Sequence, residues 1–92
     1  MSKPYDLEER TFLFAKDCRV YIQKLPKTIS NIEDGKQLVR SSGSVGANYR
    51  ASQRAKSTSD FINKLKIVEE EVDESIYWLE IFEEVNSDNF DE

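Results

Sequence analysis

Histidine is missing altogether from the 92-residue sequence. Its absence removes the commonest general base near neutral pH and the commonest metal ligand together. Cysteine occurs once, at Cys18, so no intramolecular disulfide can form and a reducing cytoplasm is the default compartment. Two prolines and three glycines are too few for a loop-rich or disordered chain. Apolar runs extend only a few residues, which excludes a membrane span. The opening MSKPYDLEER lacks the apolar core of a signal peptide. There is no phosphate-cradling glycine loop and no cluster with metal-ligand spacing. Together these gaps lead us to expect a cytoplasmic, non-enzymatic chain with no cofactor, metal, small-molecule substrate or membrane partner.

What is present is charge in helical patterns. Charged residues make up 34% of the chain and the net charge is −5. Residues 1–56 carry a surplus of cations and residues 57–92 a surplus of acids. Such asymmetry points to a charged partner or to self-complementary faces.

The spacing predicts one domain, 1–92, of three helices at about 6–25, 31–55 and 59–85. The first carries Leu7, Thr11, Phe14, Cys18, Tyr21 and Leu25 at alternating steps of four and three, capped by Asp6 and stopped before Pro26. Cys18 on that seam reads as a small core hydrophobe rather than a reactive thiol. Ser30-Asn31-Ile32-Glu33 fits a capping box for the second helix, whose core face is Leu38, Val45 and Tyr49. Ser57 or Ser59 caps the third, with the seam Phe61, Leu65, Val68, Val72, Ile76, Leu79 and Phe82. Short connections make the helices antiparallel neighbours. The acids Glu69, Glu70, Asp73, Glu80, Glu83 and Glu84 read as a solvated outer face, since acid–base catalysis would need an enclosed setting that separates their pKa values. Tyr77, Trp78, Ile81 and Val85 add apolar surface beyond the seam and call for cover from another helix. Met1–Tyr5 reads as a loose arm and Asn86–Glu92 as a polar tail in which Phe90 has no evident role.

The stretch Gly35–Ser59 contains five basic residues and no acid. With Lys36 as reference on a helix, Arg40 lies at roughly +40°, Arg50 at roughly −40° and Arg54 in line, a stripe about 27 Å long. Between its ends Gly43 and Ala47 leave a flat centre, which a phosphate backbone or an acidic helix could approach closely. A bend at Ser42-Gly43 is open at this point.

YDLEERTFLFAKDCRVYIQKLPKTISNIED, QLVRSSGSVGANYRAS, DFINKLKI and ESIYWLEIF resemble the four-helix-bundle proteins encoded in bacterial 23S rRNA intervening sequences. The resemblance covers about residues 5–82, and Arg40 to Arg50 is its most specific part. It implies an all-α, antiparallel up-down bundle that assembles into a homo-oligomer, a pentamer favoured, and a relative that binds nucleic acid. Two departures stand out: this chain ends at Glu92 without the family's fourth helix, and Ser52 stands where an acid is common. Either the fourth helix is absent or truncated, or a neighbouring subunit covers the belt of Tyr77, Trp78, Ile81 and Val85. Two functions follow as expectations. In one, an accessory protein binds RNA or DNA through Lys36, Arg40, Arg50 and Arg54, with Asn48, Ser41 and Ser44 as polar helpers. In the other, the basic face packs on an acidic face of a neighbouring subunit and no nucleic acid is involved.

Overall fold

The computed structural model describes residues 6–87, which form three helices: α1 (Leu7–Gln23), α2 (Ile29–Gln53) and α3 (Thr58–Val85). The arm 1–5 and Phe90 lie outside the described residues. Each helix begins on a side-chain oxygen that accepts an otherwise orphaned backbone N–H. Asp6 accepts from Glu9, Thr28 from Asn31 and Ser57 from Asp60, at 3.1 Å in each case. Asp6 and Ser57 were legible as caps; Thr28 was not. The capping box at Ser30 does not form. Thr28, two residues after Pro26, already has the extended ψ of 164° that a cap requires. The helix therefore starts earlier, and Glu33 turns to Lys36 instead. α1 ends two residues before the expected Leu25. Proline disfavours the α region in the residue before it. Lys24 and Leu25 close with tight i→i−3 bonds to Tyr21 and Ile22, which aims Leu25 inward to a buried position.

α2 runs unbroken through Gly43 and Gly46, and among the described residues no glycine has a positive φ. It is the middle member of the layer. α1 packs along one side and α3 along the other, and α1 and α3 make no close backbone approach to each other. They meet through side chains, with the Tyr21 ring edge-on to Phe82 at 6.0 Å. The result is flat and elongated, 49 × 28 × 15 Å.

Small residues set the α1–α2 spacing. A Cβ on Gly35 would lie 3.3 Å from Ile22 Cγ2, one on Gly43 3.2 Å from Arg19 Nη2, and one on Gly46 3.1 Å from Thr11 Oγ1. Polar pairs set the α2–α3 register. Ser75 Oγ donates to Ser41 Oγ at 2.9 Å, both residues fully buried. Farther along, the amides of Asn31 and Asn86 exchange hydrogen bonds of 2.8 and 3.0 Å. Asn86 is also the residue that caps α3, its second donor bond going to Phe82 O. A one-turn slip of α3 would unpair both sets in a buried setting, at about 1–3 kcal/mol per orphaned group.

Cys18, Leu25, Leu38 and Phe82 form the compact core at the α1–α2 turn end, with Tyr21, Ile22, Trp78 and Leu79 packed against it. Burial raises the Cys18 thiol above its ordinary pKa, opposed by a bond with Ser42, as suits a core hydrophobe. Away from this end the core thins. Five apolar residues are buried, while twelve large hydrophobics among the described residues remain exposed.

Candidate functional site

Three of the four cations expected to share a docking strip, Lys36, Arg40 and Arg50, lie along α2, and their partners divide them. Arg40 sits on the α3 side. Its two terminal nitrogens each reach Glu71 at 3.1 Å, and one also reaches Glu74 at 2.6 Å. This fork is charge-assisted and two-pronged, the strongest arrangement open to an arginine at a surface. It holds the Glu74 carboxyl below its ordinary range, with a second bond from Trp78 Nε1 assisting. Arg50 sits on the opposite side and reaches Glu8 of α1 at 3.3 Å. Lys36 pairs within its own helix with Glu33 at 3.0 Å. Arg54 is the C-cap of α2, with φ −113° and ψ 15°, so it has left the helical stripe.

The basic face of α2 thus ties the layer together. One arginine reaches out to each flanking helix, and the acids they meet belong to the same chain. Helical angles alone put Arg40 and Arg50 about 80° apart. They could not reveal that this separation aims one at α3 and the other at α1. The polar helpers are also committed. Asn48 Nδ2 donates to Ser44 O and Ser44 Oγ at 2.9 and 2.8 Å, and Ser41 is enclosed against Ser75.

A residue that sequence reasoning passed over occupies the α1–α2 seam. Arg19 extends across α2 and donates to Ala15 O at 3.0 Å, Val39 O at 3.2 Å and Ser42 Oγ at 3.4 Å. All three acceptors are uncharged. Gly43 makes room for that guanidinium. The pairing of Gly43 with a long cation one helix away had no local signature.

The expected belt at the end of α3 splits in the same way. Trp78 is half-buried against the core, and the Tyr77 ring meets its edge at 5.0 Å. Ile81 is half-buried, while Tyr77 and Val85 are 55% and 56% exposed. On the other face an open trough between α1 and α3 is lined by Leu7, Phe14, Val45 and Val72. Phe61 and Ile76 of the α3 seam are exposed too. A seam with heptad spacing needs a facing partner to bury it. Among the described residues no group of His, Cys, Asp and Glu side chains could hold a metal ion, and no helix is long and apolar enough to cross a membrane.

Comparison with known proteins gives two findings. A family model described as 23S rRNA-intervening sequence protein matches residues 4–91. The fold is similar to the crystal structure of a protein of unknown function from the S23 ribosomal protein family of Bacteroides thetaiotaomicron. The TM-score is 0.75 with 31% identity, over 87% of this chain and 74% of that one. No curated protein matches the sequence.

Proposed function

Because the chain belongs to the 23S rRNA-intervening sequence protein family, we propose that it works as a non-enzymatic, self-associating helical scaffold. The observation that carries this reading is the balance of apolar surface: five buried hydrophobics against twelve large exposed ones. Leu7 lines the open trough with Val45 and Val72, and Phe61, Ile76, Tyr77 and Val85 add exposed apolar surface along α3. Apolar patches of this kind mark association surfaces. A homo-oligomer, with a closed ring of five as the favoured form, covers them by repeating one contact.

The cations support the scaffold over phosphate docking on α2. A phosphate at Arg40 would have to displace two carboxylates already in place, and one at Arg50 would compete with Glu8. Sedimentation velocity combined with light scattering tests the proposal. The full chain is expected to run as a discrete oligomer over a wide concentration range. Val72→Asp with Ile76→Glu is expected to yield folded monomer. A wild-type chain that stays monomeric at all concentrations refutes the scaffold.

A further inference from the structure

A trough lies at the turn between α1 and α2. Ile22, Leu25, Ile32 and Val39 line it with apolar surface, and its charged residues are Lys27 and Lys36. No carboxylate lines it among the described residues. Ile32 is 47% exposed and Val39 36%, so the three helices leave this surface uncovered. Lys27 has no carboxylate within ion-pair distance among the described residues. Lys36 meets only Glu33, whose side chain is 63% exposed and compensates it weakly. Apolar walls with uncompensated cations suit an occupant that brings an apolar side chain and negative charge together.

One segment of the same chain has that composition and begins beside the trough. Asn31 also lines the trough. Its amide exchanges hydrogen bonds with Asn86 and donates to Pro26 O at 2.9 Å. Both asparagines are buried, so the pair pins the end of α3 to the α1–α2 turn. Beyond Ser87 the sequence reads Asp88-Asn89-Phe90-Asp91-Glu92, outside the described residues. It carries one aromatic, three acids and no cation. Phe90 is four residues past the pinned Asn86, a span of at most about 14 Å. Ile32 and Gly35 stand one and four residues past Asn31, about 2 and 6 Å farther along α2. The ring therefore has the reach to enter. A segment tethered this closely meets the trough at an effective concentration of about millimolar, against which the same segment of another copy must compete from solution.

We infer that the trough is the docking site of the chain's own segment 88–92, with the Phe90 ring against Ile22, Ile32 and Val39 and its carboxylates on Lys27 and Lys36. Docking there closes the end of α3 over the α1–α2 turn and takes this patch out of the surface open to other copies. The site goes beyond the scaffold function and does not depend on it. Methyl-labelled NMR of the full chain tests it, each variant first checked for its helical spectrum and its sedimentation. Cross-relaxation between the Phe90 ring protons and the methyl groups of Ile32 and Val39 is expected in the wild type. Phe90→Leu is expected to shift those methyl resonances, which lose the ring current, and to leave those of Leu7 and Val72 in the α1–α3 trough unmoved. Lys27→Gln with Lys36→Gln is expected to weaken the cross-peaks. A sample mixed from two isotope labels reports whether ring and methyls belong to one molecule.

Three results overturn the docking. One is the absence of those cross-peaks in the wild type, with Ile32 and Val39 unmoved in Phe90→Leu. Another is cross-peaks confined to pairs of differently labelled copies, which gives the trough to the segment of a second copy. The third is undiminished cross-peaks in the double lysine variant, which removes the charge pairing. Sedimentation on the same samples keeps the outcome separate from that for self-association.

Discussion

Placing the same methyl group on Gly43 and, separately, on Gly46 should move stability in opposite directions. Both residues are mid-helix in α2, and replacing either by alanine removes a backbone penalty of about 1 kcal/mol. What differs is the neighbour. At Gly43 the new Cβ lies 3.2 Å from the far end of the Arg19 side chain. A guanidinium at the tip of a flexible chain can yield a few tenths of an ångström, at worst giving up one exposed bond to Val39 O, about 1 kcal/mol. Gly43→Ala is therefore expected to be neutral or stabilising by up to about 1 kcal/mol. At Gly46 the Cβ meets Thr11 Oγ1 at 3.1 Å, with Thr11 Cβ at 3.4 Å and its main-chain carbon at 3.6 Å behind it. Here α1 itself must retreat, and overpacking of that kind costs about 1–3 kcal/mol. After the propensity gain, Gly46→Ala is expected to be destabilising by up to about 2 kcal/mol. Urea unfolding followed by far-UV circular dichroism, at one protein concentration and with the slopes compared, reads both values. Gly46→Ala more stable than Gly43→Ala would refute the claim that the α1–α2 spacing is set at Thr11 rather than at Arg19.

Three further outcomes follow from the polar contacts. Arg40→Gln is expected to lower stability by about 1 kcal/mol at neutral pH, a value already reduced for an arginine that is 49% exposed. Its fork with Glu71 and Glu74 holds the Glu74 carboxyl down, so that contribution is present above the ordinary carboxylate pKa of about 4.3 and is lost as pH falls through the lower folded value. Urea midpoints of wild type and Arg40→Gln should accordingly converge in acid, and a gap that stays constant from neutral to acid pH contradicts the assignment. Asn31→Ala alone should cost about 2–3 kcal/mol by removing both bonds between the two amides and leaving buried Asn86 with only its donor bond to Phe82 O, whereas Asn31→Leu with Asn86→Leu should cost less than the sum of the singles, which a double-mutant cycle in urea measures. Ser75→Ala should cost only about 1 kcal/mol, because Ser41 keeps an acceptor in Leu38 O.

Periodicity, cap chemistry and Pro26 were enough to place three helices with boundaries right to within two residues. Those signals are local: a side chain three residues from its own N–H, or an apolar face every three to four positions. Even the shift from Ser30 to Thr28 is a choice between two adjacent local caps. The sites were less legible for the same reason. Arg40 reads as a free cation in sequence, since Glu71 and Glu74 are about thirty positions away. Arg19 belongs to one helix and Gly43 to another, so no window of sequence shows that the one makes room for the other.

By itself the chain's order of residues determined that it is all-helical, which stripe of each helix is apolar, and that cations crowd α2 while acids crowd α3. These properties follow from backbone geometry and residue type. Only the packing decided that α2 lies in the middle, because small side chains at 35, 43 and 46 admit α1 on one flank while Ser41 and Asn31 bond α3 on the other. That central position sets Arg40 beside Glu71 and Glu74 of α3 and Arg50 beside Glu8 of α1, all acids of the same chain. A charge is neutralised by what stands beside it in space, wherever that neighbour falls along the chain.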